Sequence, residues 1–401
     1  MKNDLVALED QNIGIASAQS SPDEPCGFDS QVANSPYQRI LAKAESQHRL
    51  ISVHWELTYR CNQRCSHCYL DVLPPDACVP EELTTEECLN IIDQIADEGA
   101  LYLSLSGGEA LIRRDFFQIA EYARFRGLSL SILTNGTLIR PDTADRIAAL
   151  HPLRVSMSLY GASAAIHEHI TRIPGSYAKT IRAFHLLHER GVRTVAKTPL
   201  MQENVYEFYA LREQAERLGA QFQYDITITT KNDGGRGPLQ HRMTDEQLLW
   251  FFRRELDPRP WISPRPNGRD RRFCSLGGLA CVIRPNGDVS PCINIRVRVG
   301  NLRQASLREI WHEQPIWREL HGLTLTRLPK CASCDLQWYC TRCHGLALVE
   351  DGDLFACSTE ARRQAALRRQ VLREKGVIDN EAATPWSNWS GASSTAKSTC
   401  L

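Results

Sequence analysis

The sequence predicts an α/β fold: a partial parallel (β/α)6 barrel followed by a small cysteine-rich domain. Two observations lead to this prediction. Between residues 50 and 230, six strand-like runs alternate with helix-like runs, an order typical of parallel sheets. Between residues 273 and 360 the chain is turn-rich and dense in cysteine, which suits a small domain organised around metal sites rather than a large core.

The six strand candidates leave room for a helix between each pair. They span residues 52–57, 101–105, 129–133, 154–159, 193–198 and 222–227. The first intervening helix opens with a capping box, Thr84 with Glu87, and ends at Gly99. Later helices end at Gly127, Gly191 and Gly219. In such a barrel, functional residues gather at the carboxyl ends of the strands.

The remaining regions differ in composition, and we expect six parts in all. They are a poorly ordered polar N-terminal arm (1–48), the barrel (49–230), a Gly-, Pro- and Arg-rich linker (231–272), the cysteine-rich domain (273–360), a basic helix (361–378) and a disordered tail (379–401).

Charge and cysteine content narrow the class of protein. The 401 residues carry 47 basic and 47 acidic side chains, which argues against a nucleic-acid partner for the whole chain. No apolar run of about 18 residues predicts a membrane span, and the N-terminus lacks the apolar stretch of a secretory signal. We therefore expect a cytoplasmic protein, in which 15 cysteines favour metal or redox chemistry over disulfides.

Eleven of the cysteines form three groups. The groups are Cys61, Cys65 and Cys68; Cys274, Cys281 and Cys292; and Cys331, Cys334, Cys340, Cys343 and Cys357. The first group directly follows the first strand, at the mouth of the predicted barrel. Three thiolates leave one position on a metal open, whereas four close the site. Spacing alone leaves both zinc and an iron–sulfur cluster open.

Three further strand ends carry small or polar residues. Gly107–Glu109 follow the second strand, Asn135 and Gly136 the third, and Ser158 lies at the end of the fourth. Each taken alone is explained by a tight turn, but together they lie at one face of the barrel and leave room for a ligand.

The C-x3-C-x2-C motif, with these strand ends, resembles radical S-adenosylmethionine (radical SAM) enzymes over about residues 50–360. The resemblance implies a [4Fe–4S] cluster on Cys61, Cys65 and Cys68 whose open iron position binds the methionyl group of S-adenosylmethionine (AdoMet). It implies reductive cleavage of AdoMet to a 5′-deoxyadenosyl radical, which abstracts a hydrogen atom from the substrate.

The same resemblance suggests which residues bind AdoMet. Gly107, Gly108 and Glu109 match the family motif that contacts the methionyl amine. Ser158 and Arg172 match a serine and an arginine of the family, the arginine pairing with the AdoMet carboxylate. We expect Asn135 to line the same pocket.

The later cysteines resemble the SPASM extension of this superfamily. The resemblance implies two auxiliary [4Fe–4S] clusters, and so three clusters in the protein. The implied ligand sets are Cys274, Cys281, Cys292 and Cys343 for one and Cys331, Cys334, Cys340 and Cys357 for the other. Two residues rather than three separate Cys340 from Cys343, which departs from the family spacing. The alternative is a pair of zinc sites in a protein-interaction module.

SPASM proteins that resemble this chain mostly modify peptides. The resemblance therefore implies that this enzyme modifies a ribosomally made peptide, through a thioether, C–C or C–O crosslink or the oxidation of a residue. Sulfatase maturation is a related activity, but those enzymes carry an acidic residue where Ile293 follows Cys292 here. Haem or tetrapyrrole biosynthesis is a further alternative. Expected partners are a precursor peptide or protein, an electron donor such as flavodoxin or ferredoxin, and a separate leader-binding protein.

The loop after the sixth strand offers candidates for a catalytic acid or base. They are Asp225, Lys231 and Asp233, which the predicted barrel brings to its mouth. Turn and cap chemistry explains the same residues equally well.

Overall fold

The computed structural model describes residues 35–262 and 271–378, and within them nine strands form one sheet. The strands are β1 Ser52–Glu56, β2 Tyr102–Ser106, β3 Ser129–Thr134, β4 Arg154–Ser158, β5 Thr194–Pro199, β6 Gln221–Asp225, β7 Ala280–Ile283, β8 Asp288–Ser290 and β9 Gly300–Asn301.

Helices separate the six strands β1 to β6, as the sequence predicts. They are α1 Pro36–Ser46, α2 Thr85–Asp97, α3 Phe116–Phe125, α4 Pro141–Ala149, α5 Ala164–Thr171, α6 Ser176–His188, α7 Phe208–Arg217, α8 Asp245–Glu255, α9 Arg259–Ile262, α10 Leu307–Glu313, α11 Ile316–His321, α12 Pro329–Ala332, α13 His344–Asp351 and α14 Thr359–Glu374. The predicted capping box is present: the Thr84 hydroxyl accepts from the Glu87 backbone, and the Glu87 carboxylate accepts from the Thr84 backbone. None of the helices in the described ranges combines the length and apolar character needed to cross a membrane.

The sheet is a partial barrel. Its strand order is β6-β5-β4-β3-β2-β1-β7-β8-β9. In this order, each strand from β6 through β1 to β7 pairs with its neighbour in parallel. β8 pairs antiparallel with β7, and β9 pairs antiparallel with β8. The two ends, β6 and β9, do not pair with each other in the described residues, so the barrel stays open on one side, as predicted.

The two faces of the sheet differ in polarity. Val53 and Trp55 of β1 are fully buried in the main core, together with Leu103 and Leu105 of β2. Because side chains alternate along a strand, His54 and Glu56 point to the opposite, concave face. Their partners across the β1–β2 ladder are two serines, Ser104 and Ser106. The concave face is therefore lined by polar side chains, which suits a polar ligand or substrate.

The cysteine-rich region supplies strands to the same sheet, which the sequence did not predict. Cys281 of β7 pairs with Val53, on the edge of β1 that β2 leaves free. A strand edge has unpaired backbone donors and acceptors, so an added strand satisfies them. Backbone hydrogen bonds therefore continue from the barrel strands into the cysteine-rich region.

The N-terminal arm differs in part from the expectation of poor order. Residues 36–46 form α1, with Ser35 as its N-cap, and Glu45 pairs with Arg272 at 2.7 Å. Residues 1–34 lie outside the described ranges, as does the predicted disordered tail, 379–401.

The expected linker and the basic helix pack against each other. Phe251 and Phe252 of α8 share a core with Val371 and Leu372 of α14. Arg368, which lies on the predicted basic helix, is 1% exposed. The helix is therefore part of the folded body rather than a free basic surface. Residues 263–270 of the linker lie outside the described ranges.

Candidate functional site

The first cysteine group lies on the loop that leaves β1. Backbone hydrogen bonds fix this loop on two sides, from Cys61 N to Leu73 O at 2.9 Å and from Ser66 N to Ile170 O at 2.9 Å. The second bond joins the loop to α5. The loop is thus held at the carboxyl edge of the sheet, where the sequence predicts a metal site.

The three cysteines of this loop are half-buried, and their thiols interact electrostatically with one another. Burial, with charge repulsion from Cys68 and Glu109 as smaller contributions, raises the pKa of Cys61 to about 12. The pKa of Cys65 is raised mainly by burial, and the charges of Cys61 and Cys68 raise it further. Such thiols become thiolates only when a cation compensates their charge, as a bound metal cluster does.

The glycine turn after β2 packs against the strand end that leads into the cluster loop. The N–H of Gly108 donates to Thr58 O at 2.7 Å, and that of Glu109 donates to Arg60 O at 2.9 Å. A Cβ on Gly107 would lie 2.3 Å from Thr58 O, and one on Gly108 would lie 2.4 Å from Arg60 O. Only glycine allows this approach, so the turn and the cluster loop are locked together.

Glu109 holds the end of β3. Its carboxylate accepts from the Thr134 hydroxyl at 2.8 and 2.9 Å, from the Asn135 N–H at 2.7 Å and from the Leu111 N–H at 3.1 Å. Burial raises the pKa of Glu109, and these donors oppose the rise. The carboxylate, expected at the AdoMet amine, is thus already used by protein donors.

Asn135 connects β3 to the cluster loop. Its Nδ2 donates to Asn62 Oδ1 at 2.8 Å, and its side chain also hydrogen-bonds the Cys61 sulfur, which lowers the pKa of that thiol. The predicted pocket residue therefore also orients a cluster cysteine.

The two remaining AdoMet candidates lie on either side of α5. Ser158 ends β4, is half-buried and hydrogen-bonds the Tyr160 side chain. Arg172 caps the end of α5 in a left-handed conformation, with φ 58°, and is exposed. Its neighbour Thr171 accepts a hydrogen bond from Arg64 of the cluster loop, so Arg172 lies beside that loop.

The three candidates for an acid or base divide into two kinds. Asp225 and Asp233 are exposed, and each accepts a backbone N–H two residues further on, as in ordinary turns. Lys231 is half-buried and pairs with Asp71 at 3.3 Å. The positive charge of Lys231 lowers the pKa of the Cys68 thiol, which connects this candidate electrostatically to a cluster cysteine.

A buried ionic network on the concave face was missed by the sequence reasoning. Glu56 is fully buried and accepts from Tyr69 Oη at 2.8 Å, Tyr59 Oη at 3.1 Å and Arg284 Nη1 at 3.3 Å. The available signal was the alternation of polar Ser52, His54 and Glu56 with apolar Val53 and Trp55 along one strand.

Four of the later thiols form one interacting set. They are Cys331, Cys334, Cys340 and Cys357, the set that the family resemblance implies. Burial raises the pKa of Cys340 to about 11, and the charges of the other three contribute to the rise. Three buried arginines act on these thiols: Arg342 on Cys331 and Cys357, Arg368 on Cys340, and Arg271 on Cys331 and Cys340.

Three thiols of the other auxiliary set lie around a second small core. Cys274 and Cys292 pack against the same apolar cluster. The backbone around Cys343 lies nearby, because Phe273 and His344 stack edge to face at 6.4 Å. Gly345, two residues after Cys343, packs against Asn294, two residues after Cys292, because a Cβ on Gly345 would lie 2.5 Å from Asn294.

Cys281 is placed differently from these three. It lies on β7, is 1% exposed and belongs to the main core between sheet and helices. Burial is the one cause that raises its pKa to about 12, with no contribution from another thiol. Its position does not favour the ligand role that the resemblance implies.

Comparisons with known proteins agree with this geometry. The radical SAM superfamily profile matches residues 55–215, and an iron–sulfur cluster-binding domain profile, SPASM, matches residues 274–335. The mycofactocin maturase MftC of Mycobacterium tuberculosis is 30% identical over 307 residues, which cover 71% of this chain and 76% of the relative. This chain belongs to the radical SAM superfamily.

Two further comparisons describe this radical SAM protein. An AdoMet-dependent heme synthase of Methanosarcina barkeri is 29% identical over 332 residues, covering 76% of this chain and 93% of the relative. The fold is similar to Streptococcus suis SuiB in its crystal structure with the precursor peptide SuiA. That TM-score is 0.61, at 16% identity, covering 89% of this chain and 84% of SuiB.

The radical SAM and SPASM domains together define the class of enzyme and its cofactors. The enzyme uses AdoMet and three [4Fe–4S] clusters, one in the radical SAM domain and two in the SPASM domain. The thiol groups described above are the donors suited to these clusters.

Proposed function

We propose that this radical SAM/SPASM enzyme is a maturase that modifies a ribosomally made peptide. The observation behind the proposal is the open sheet, whose ends β6 and β9 do not pair in the described residues and whose concave face is polar. An opening of this kind admits a chain that extends beyond the site. Relatives whose names describe peptide maturation, such as MftC, support the same assignment.

The proposal gives each part of the site a role. Cys61, Cys65 and Cys68 would hold the cluster that binds AdoMet, and Gly107 and Gly108 would leave room for the methionyl group beside it. When bound, AdoMet and this cluster supply a 5′-deoxyadenosyl radical that removes a hydrogen atom from the substrate. Glu109 keeps the β3 end and the glycine turn in place while water is excluded.

The auxiliary clusters, when bound by the later cysteines, would supply an acceptor for the electron left on the substrate after hydrogen abstraction. We assign Cys331, Cys334, Cys340 and Cys357 to one cluster, and Cys274, Cys292 and Cys343 to the other. Buried arginines beside the first set favour the more negative, reduced state of that cluster. A reduced flavodoxin or ferredoxin is the proposed electron donor.

A mass measurement tests the proposal. The enzyme is reconstituted anaerobically with iron and sulfide and incubated with AdoMet, a reductant and a candidate precursor peptide, chosen from short reading frames near its gene. A crosslink formed by hydrogen abstraction and oxidation lowers the peptide mass by about two hydrogens. The control is Cys65→Ala, which removes a cluster ligand and leaves the peptide unchanged. An unmodified peptide in the presence of an enzyme that cleaves AdoMet would contradict the proposal.

Haem-type tetrapyrrole chemistry is a second candidate. The specific observation in its favour is coverage, since the heme synthase of Methanosarcina barkeri is matched over 93% of its length and MftC over 76%. Incubation of the same enzyme with tetrapyrrole carboxylic acids and AdoMet tests it. Appearance of a haem absorption spectrum, with no change in the peptide, would favour this candidate.

A further inference from the structure

Two arginines near the carboxyl edge of the sheet each keep one nitrogen without a partner among the described residues. They are Arg284, which is buried and directly follows β7, and Arg296, which is half-buried. The unpartnered atoms in the described residues are Nη2 of Arg284 and Nε of Arg296, both shielded from solvent. Buried polar groups in proteins are almost always hydrogen-bonded, so each of these donors indicates a missing acceptor.

The other nitrogens of these arginines fix where the free ones lie. Arg284 donates to Glu56 at 3.3 Å, to the Tyr59 hydroxyl at 3.2 Å and to Ser290 at 3.2 Å. Arg296 donates from Nη2 to Thr230 O at 2.8 Å. The positions of both guanidinium groups are thus set by the protein before any ligand arrives.

The two arginines interact electrostatically with each other and with one buried acid. Both charges act on the carboxylate of Glu56, and the charge of Arg284 also acts on Arg296. Glu56 already accepts from Tyr59 and Tyr69 as well as from Arg284. One buried anion therefore faces two cations, and its oxygens are already in use.

The nearby surface acids leave room for another anion. Asp71 and Asp233 also act on Arg296. Asp71 is half-exposed and pairs with Lys231, while Asp233 is exposed and caps its own turn. Neither has a described hydrogen bond to Arg284 or Arg296.

The pair lies apart from the proposed AdoMet residues. Gly107–Glu109 follow β2, Asn135 follows β3 and Ser158 ends β4, on one side of β1. Arg284 follows β7, on the other side of β1. The cluster loop leaves β1 between them, so an acceptor at the arginines reaches the radical site from the side opposite to AdoMet.

We propose that Arg284 and Arg296 bind a carboxylate of the substrate. Guanidinium groups match carboxylates in charge and geometry, and both unpartnered nitrogens are donors. This inference rests on the proposed function and narrows it: the peptide presents a carboxylate, from its C-terminus or an acidic side chain, at the concave face. In a tetrapyrrole the same chemistry comes from a propionate.

Binding of defined carboxylates to the reconstituted enzyme tests the inference. The probes are N-acetyl-trialanine as the free acid and as the C-terminal amide, measured by saturation-transfer NMR, and coproporphyrin III, measured by fluorescence anisotropy. We expect the enzyme to bind the acid at least fivefold more tightly than the amide. The Arg296→Gln variant should lose this preference. The matched control is Arg298→Gln, whose exposed side chain pairs with Asp288 instead.

A second variant tests Arg284, the ionic partner of Glu56. Arg284→Gln alone leaves a buried carboxylate unpaired, so it is combined with Glu56→Gln, and the double variant should also lose the preference. AdoMet affinity, measured in parallel, should stay within twofold of the wild type in all variants.

Each other outcome has a defined meaning. Equal binding of acid and amide, or an unchanged preference in Arg296→Gln, overturns the carboxylate site and leaves the maturase proposal standing. A loss of AdoMet affinity overturns it too, because the acceptor would then be the carboxylate of AdoMet. Arginine-dependent binding of coproporphyrin III without binding of the peptide acid supports the site and contradicts the peptide as its source.

Discussion

Replacement of Gly107 by alanine should disturb the junction between the AdoMet turn and the cluster loop. The new Cβ would lie 2.3 Å from Thr58 O, and side-chain carbons essentially never approach closer than 3.0 Å, so the two segments must separate by at least 0.7 Å. Overpacking of this kind costs about 1–3 kcal/mol. The backbone at Gly107 also has φ 136°, a strained conformation for alanine that adds about 1–3 kcal/mol.

The expected total is about 2–6 kcal/mol, which lowers the melting temperature by at least about 4 °C at roughly 2–4 °C per kcal/mol. Differential scanning fluorimetry of the reconstituted enzyme measures this, and equilibrium dialysis measures AdoMet affinity, which should fall at least tenfold. Gly127→Ala is the matched control: its φ is 85°, but no atom lies within 4 Å of the added Cβ. Equal melting temperatures for the two variants would refute the steric argument.

Three further predictions follow from the site. Glu109→Gln places an amide donor among N–H and O–H donors, so thermal unfolding should show a loss of about 2 kcal/mol, whereas the exposed Glu121→Gln should show none. Cys281→Val should retain about twelve irons per chain in an iron assay, four per cluster, and a loss of about four would make Cys281 a ligand. Arg368→Met removes a buried cation that acts on Cys340. The loss of about 1–2 kcal/mol of Coulomb energy, at an effective dielectric constant of about 20, should lower the reduction potential of that auxiliary cluster on the order of 50–100 mV. An EPR-monitored redox titration measures this potential. An unchanged potential would place the charge too far from the cluster to matter.

The local features of this enzyme could be predicted from its amino-acid sequence. Cys61, Cys65 and Cys68 lie within eight consecutive residues, so their motif can be recognised without knowledge of any long-range contact. The capping box of Thr84 and Glu87 is equally local, since both partners lie within one helical turn. Alternating strand and helix signals gave the six parallel strands because each depends on residues close in the chain.

Long-range pairing decided the rest. Glu56 and Arg284 are 228 positions apart, and no periodicity in either segment indicates that β7 joins the sheet beside β1 and brings them together. The same pairing turns Cys281 toward the main core, although its spacing in the sequence resembles that of a ligand. Arg368 is a basic residue on an amphipathic helix, and only the packing of α14 on α8 shows that its side chain is buried. Local sequence sets which residues can share a face, but the partner of that face depends on the free energy of the whole fold, which only the tertiary structure reveals.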